Sequence, residues 1–179
     1  MPFGKISRRH TVYALISACV VAGGLFSFLY YKPGERTQPQ IPVVSSDKEN
    51  LFLYVPTERG GLEKKALEVR SSLSERAKAD ILFQELRKAK AIPVSTQLHE
   101  LAFGEGAVLY LDISHDVVEQ QLDARGEIRV VYALVNSFIA SFRDVNRVQL
   151  LVDGRPLYTF SGVVYTFAPL PFNNDVQEE

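Results

Sequence analysis

Residues 98–142 read LHELAFGEGAVLYLDISHDVVEQQLDARGEIRVVYALVNSFIASF. The first part predicts two strands, Leu98–Phe103 and Ala107–Ile113, turned through Gly104-Glu105-Gly106, since glycine supplies the backbone freedom a tight hairpin needs. Past a weakly helical stretch near Asp116 the period changes. From about Gly126 to Phe142, the residues Ile128, Val131, Val135, Phe138, Ile139 and Phe142 recur at the spacing that lines one face of an α-helix.

Upstream, Leu51–Val55 is a short apolar strand ended by Pro56 and a turn around Gly60-Gly61, and residues 66–71 alternate apolar with polar as a second strand. Ser74 predicts a helix cap. The helix behind it, ERAKADILFQELRKAK, places Ala77, Ile81, Leu82 and Leu86 on one face and is closed by Pro93. Its acidic Glu75 and Asp80 precede Arg87, Lys88 and Lys90, the order the helix dipole favours. Downstream, Arg147–Val152 is a strand turned by Asp153-Gly154 into a partner at Leu157–Phe160, and the polar tail is expected to fray. Strands set apart from helices predict an α+β fold: a single compact domain, two helices packed on a mixed or antiparallel sheet of about six strands.

The N-terminus sets the compartment. Thr11–Tyr31, TVYALISACVVAGGLFSFLYY, is uncharged and mostly apolar, and as a helix it would be roughly 31 Å long, matching the hydrocarbon thickness of a bilayer. Lys5, Arg8, Arg9 and His10 precede it, while Tyr30, Tyr31 and Lys32 suit the far interface. The expectation is a single-pass anchor in the cytoplasmic (inner) membrane, with residues 1–10 as a basic cytoplasmic tail and the rest outside. Two processed forms compete. Ile16-Ser17-Ala18-Cys19 resembles a lipobox, which would make Cys19 a lipidation site, and a cut after Ala22-Gly23-Gly24 would free the chain. All three place the domain outside the cytoplasmic membrane. Cys19 is the only cysteine, so the exported part forms no disulfide and offers no thiol chemistry.

Residues 32–49 hold three prolines and few large apolar groups, a composition that predicts a semi-extended linker. The folded domain is expected over 50–171, one core's worth of chain, with a disordered tail at 172–179.

Chemistry-bearing motifs are missing. There is no G-x-x-x-x-G-K-[ST] and no G-x-G-x-x-G. The exported part has only His99 and His115 as imidazoles, too few for a metal centre without a spaced carboxylate motif. Asp112-Ile113-Ser114-His115-Asp116 contains every member of a hydrolytic triad, but neighbours in one extended segment point to alternate faces, and Ser114 reads better as a helix cap. No catalytic, cofactor-binding or metal residue is therefore assigned. Beyond residue 46, Lys and Arg number 15 against 20 Asp and Glu, a net charge of −5. Lys64-Lys65 and Arg87-Lys88-Lys90 are solvated faces in an acidic field, which argues against nucleic acid as a partner.

Several segments in their order carry a resemblance: Leu51-Phe52-Leu53-Tyr54, the helix ending at Leu86, Ile92-Pro93, then Gly106-Ala107-Val108-Leu109-Tyr110-Leu111-Asp112-Ile113-Ser114. Val131-Tyr132-Ala133-Leu134-Val135-Asn136-Ser137-Phe138 and Val148-Gln149-Leu150-Leu151-Val152-Asp153-Gly154 complete it. Over about 50–162 the chain resembles the GerMN (Germane) family of sporulation, spore germination and envelope proteins. The resemblance implies a compact α+β module without enzymatic activity and supplies no catalytic residues to carry over. It also leaves self-association open, because the family is similar to ring-building domains of secretion assemblies. Asn136-Ser137 stand where the family tends to have a Thr-Leu pair, and there is room for one domain where sporulation members often carry two.

The function expected is that of a non-catalytic, membrane-anchored envelope protein whose domain serves protein–protein interaction and assembly, with envelope proteins or cell wall as partners and a homo-oligomer possible. The alternative is a peptidoglycan- or small-ligand-binding accessory module, for which Tyr54, Tyr110, Tyr132, Tyr158 and Tyr165 are candidate contacts.

Overall fold

The computed structural model describes residues 47–178; the apolar segment 11–31, Cys19 and most of the linker lie outside them. Among the described residues no helix is long and apolar enough to cross a membrane. Six strands and three helices follow in order: β1 Lys48–Pro56, β2 Leu62–Arg70, α1 Glu75–Lys88, β3 Leu98–Gly104, β4 Val108–Ile113, the short α2 Asp116–Glu119, α3 Ala124–Ser141, β5 Arg147–Val152 and β6 Leu170–Pro171. A single 3₁₀ turn, Glu105–Ala107, joins β3 to β4.

The strands form two sheets rather than the one expected. β1 and β2 make an antiparallel pair, and β3-β4-β5-β6 make a mixed sheet in which β4 and β5 run parallel. A parallel neighbour needs a crossover, and α2 and α3 provide it between β4 and β5. β1 starts at Lys48, so the last residues assigned to the linker belong to a strand.

One apolar core is shared by both sheets. Leu51, Leu53 and Val55 from β1 meet Leu82, Phe83 and Leu86 from α1, Val131, Leu134 and Phe138 from α3, and Leu109, Leu111, Val148 and Leu150 from the mixed sheet. α3 is buried over a wider arc than its apolar spacing predicts, because Glu127, Asn136 and Ser137 are buried alongside Leu134 and Phe138. The Ser137 hydroxyl accepts from the Tyr54 amide at 2.8 Å. One turn further on, the Ser141 hydroxyl accepts from the Phe52 amide at 2.8 Å and donates to the Phe52 carbonyl. These hydroxyls close the edge of β1 that β2 does not cover, where unpaired amides would be costly.

Helix caps follow the sequence in part. The Ser74 side chain accepts from the Ala77 amide as expected. Ser114 does not cap α2. His115 occupies that position without a side-chain bond, while the Ser114 hydroxyl accepts from the Gln97 amide and donates to Asp116.

Two expectations for the C-terminal part fail. Asp153-Gly154 does turn the chain, with positive φ at both residues, but only Val152 and Arg155 pair across it. Pro156 follows at once and has no amide to continue a ladder, so Leu157–Phe160 is not a strand and β5 pairs with Leu170–Pro171 instead. Nor is the tail free. Asn136 clamps Asn173 through both main-chain groups, Phe172 packs edge-on against buried Tyr54 at 5.4 Å, and the Leu62 main chain bonds Val176 and Glu178. Polar composition suggested fraying, but the tail's main chain is held by the Asn136 side chain of α3 and by the Leu62 main chain of β2.

Replacing Ser137 with Ala strands the buried Tyr54 amide and should lower the unfolding free energy by about 1–3 kcal/mol. Ser141→Ala, where water can reach the freed groups, should cost less. Urea titration of both variants measures the difference.

Lys78, nearly buried, is paired with Glu49 at 2.6 Å and Glu75 at 3.2 Å. The hydrogen bond to Glu49 raises its pKa, outweighing the opposing effect of burial, and Glu75 raises it further. Burial also raises the Tyr54 phenol. Both groups then favour folding below their unfolded values, and that favour is lost as pH rises through the folded ones. Stability should decline above about pH 10, and less steeply in Lys78→Met, as read by urea unfolding across the alkaline range.

Candidate functional site

Residues 156–174, PLYTFSGVVYTFAPLPFNN, carry no charge in a chain that is 23% charged overall. They hold five aromatic residues without a sustained strand or helix period. The structure resolves this segment into an ordered loop with inward and outward residues. Phe160, Val164 and Thr166 are buried, while Tyr158, Val163, Tyr165 and Phe167 are exposed.

Three buried polar side chains fix the loop. Glu127, in the first turn of α3 and fully buried, accepts from the amides of Phe160 at 2.9 Å, Val163 at 2.8 Å and Val164 at 3.3 Å. A buried carboxylate is tolerable only when well bonded, and the helix N-terminus adds a favourable dipole. The Thr166 hydroxyl donates to the Leu157 carbonyl and its amide to the Tyr158 carbonyl, closing the loop on itself. From the mixed sheet, the Gln149 side-chain amide donates to the Thr166 and Leu150 carbonyls, both at 3.0 Å. The helix end that carries Glu127 is itself capped by Asp123, whose carboxylate accepts from the Gly126 amide at 2.6 Å. A Cβ at 126 would lie 2.9 Å from that carboxylate, so a larger residue there would have to displace the cap.

On this frame the rings form one cluster. Tyr158 and Phe167 stack at 4.7 Å with 11° between planes, and Tyr165 is tilted against them at 6.4 and 6.3 Å. Tyr158 is 69% exposed, Tyr165 55% and Phe167 42%, with Val163 at 48% beside them in sequence. Contiguous exposed apolar surface of this kind marks an interaction site more often than a bystander. Tyrosine is suited to it, offering a large apolar face and a hydroxyl with few rotors to freeze.

The other residues singled out by sequence are dispersed. Tyr54 is buried and Tyr132 half-buried against the core. Tyr110 faces out from the mixed sheet and covers Gly104, where a Cβ would lie 2.5 Å from its ring. Asp112 accepts from the Gly154 amide at 2.7 Å and so holds the turn after β5. His99 stands 3.7 Å from Asp153 and 4.0 Å from Asp112, while His115 is exposed on the α2 cap. Asp112, Ser114 and His115 thus do not converge as nucleophile, base and orienting acid. Lys64 lies 4.0 Å above the Phe52 ring and Lys65 pairs with Glu63. Arg87, Lys88, Lys90 and Arg129 are among the residues that line an open groove of about 600 Å³. Among the described residues no group of three or more histidine, cysteine or acidic side chains is placed to hold a metal.

Sequence reading missed Val163, Phe167 and Glu127. Two signals were available: the long uncharged aromatic run, and a glutamate three and four residues ahead of Val130 and Val131 on the apolar stripe of a helix.

The family model described as sporulation and spore germination, Germane, matches residues 30–158. In fold, the chain is similar to the tandem GerMN domains of the sporulation protein GerM from Bacillus subtilis, at a TM-score of 0.56 and 14% identity, covering 69% of this chain and 46% of that one. It is also similar to the first GerMN domain of the same protein, at 0.53 and 13% identity, covering 71% and 98%. The chain therefore spans about half of the tandem structure and nearly all of one repeat. No curated protein matches it.

Glu127→Ala orphans three amides and should lower stability by about 2–3 kcal/mol while freeing the loop. Glu127→Gln, which keeps one acceptor oxygen, should fall between. Limited chymotrypsin digestion, cutting first at Tyr158–Phe167 in the alanine variant, reads the loop directly.

Proposed function

Since the chain belongs to the Germane family of sporulation and spore germination, we propose that it is a non-catalytic envelope protein, tethered through Thr11–Tyr31 in the cytoplasmic membrane with its domain on the far side. The domain docks another envelope protein through Tyr158, Val163, Tyr165 and Phe167. One observation carries this reading: an exposed aromatic cluster sits on a backbone already fixed by Glu127, Gln149 and Thr166. Association is penalised by every loop that must be ordered on contact, and a pre-set loop avoids that loss. Rings concentrated in one patch also match the composition of binding hot spots. The apolar stretch and the proline-containing linker, both read from sequence, support the tether.

A second reading, a wall-binding module, draws on the same uncharged rings, which offer flat faces to neutral sugars. Serine at 158, 165 and 167 together separates function from fold. Unfolding free energy should fall by no more than about 1 kcal/mol, the worth of exposed ring pairs, while envelope proteins recovered by in vivo cross-linking should disappear. Unchanged recovery would remove the cluster from the docking role. Sedimentation with purified sacculi, lost in the same variant, would transfer the site to the wall. Reporter fusions at Gly34 and Glu179 test the tether; cytoplasmic activity of both would end it.

A further inference from the structure

Past Leu62, one edge of strand β2 has no strand beside it among the described residues. In the β1–β2 ladder the amides of Phe52 and Tyr54 point away from β2 toward α3, so Leu51 and Leu53 point toward it. Their partners Leu67 and Lys65 therefore face β1, and Lys64, Ala66 and Glu68 direct their main-chain groups outward. Leu62 follows the same parity, and its outward amide and carbonyl are taken by Val176 and Glu178. Beyond Leu62 the outward groups of Lys64, Ala66 and Glu68 meet no strand among the described residues.

We propose that this edge pairs with the same edge of a second copy of the chain, antiparallel and centred on Ala66, joining two β1–β2 hairpins into one four-stranded sheet. Backbone parity allows a symmetric strand pair to centre only on a residue, not between two. The charges of LEKKALEVR then decide which residue. Centring on Lys64, Lys65 or Glu68 sets like charge directly against like. Centring on Leu67 sets Lys64 against Arg70. Only the Ala66 register opposes Lys64 to Glu68, and symmetry makes that pairing twice. Lys65 then faces Leu67, and Glu63 faces Val69. About six main-chain hydrogen bonds result from the Ala66–Ala66 and Lys64–Glu68 positions.

The neighbours of these groups agree with the register. On the face of β2 that carries Lys64, Glu68 already holds Lys48, so the partner's Lys64 extends that ion pair. Lys64 lies over Phe52 and Lys65 is held by Glu63, so neither lysine is fixed across the edge as a guard. The C-terminal segment at Leu62 limits the pairing to about Glu63–Val69, because position 70 of the second copy would meet residue 177. The contact is small and correspondingly weak, which makes a covalent trap the suitable readout. The proposal does not rest on the aromatic surface or on its partner.

The test uses the full chain in detergent micelles, with Cys19→Ser so that one introduced thiol is alone. Hydrogen-bonded antiparallel partners lie at a Cα separation of about 5.5 Å, within disulfide reach. Ala66→Cys should then give about tenfold more disulfide dimer under mild oxidation than Glu119→Cys on exposed α2. Adding Lys64→Glu should remove most of that excess, and adding Glu68→Lys as well should restore it. Equal yields at positions 66 and 119, or a yield indifferent to the charge reversals, would overturn the proposal. Ala66→Pro gives an independent check. Its lost amide points away from β1, so the hairpin persists by circular dichroism, while any dimer of the otherwise unaltered chain in sedimentation velocity should vanish; a dimer that survives would also overturn it.

Discussion

Helix α3 carries polar side chains into the interior, and each of them serves main-chain groups elsewhere in the domain. Glu127 holds three amides of the aromatic loop, Asn136 clamps Asn173, Ser137 takes the Tyr54 amide, and Ser141 brackets Phe52. Burying a carboxylate, an amide and a hydroxyl on a core helix would be unfavourable alone. It becomes favourable because backbone donors and acceptors at one strand edge, one loop and one tail would otherwise be left without partners. The apolar residues between them, Val131, Leu134 and Phe138, supply the burial that keeps the helix in place.

This division explains what could be read in the sequence. Local period and turn chemistry located β1 through β5, both long helices and the Ser74 cap, since those signals depend on near neighbours. The two-sheet arrangement did not follow from them. Whether strands join one sheet or two depends on which edges are covered, and the β1 edge is covered by hydroxyls from residues 83 and 89 positions away. The loop after β5 was misread because its turn residues are right for a hairpin. The deciding factors were Pro156 next door and a carboxylate 33 to 37 residues upstream. The tail was misread because polar composition resembles disorder until its partners are known.

The candidate site was legible only in part. Tyr158 and Tyr165 stood out as candidates among five tyrosines, but nothing local separated them from Tyr54 or Tyr132, which the core absorbs. The distinction lies in what surrounds each ring. Tyr54 backs onto Phe172, whereas Tyr158 and Tyr165 back onto one another and face solvent. The polar pair Asn136-Ser137 on α3 is likewise explained by long-range bonds rather than by helix propensity.

Glu127 grips the loop by its amides and touches none of the outward side chains through those bonds. The side chains of Tyr158, Val163, Tyr165 and Phe167 can therefore be exchanged by mutation without loosening the grip, much as the tips of a scaffold change while its struts stay. A lineage can thus rewrite what this face recognises at little risk to the fold, and relatives with the same architecture need share no ligand.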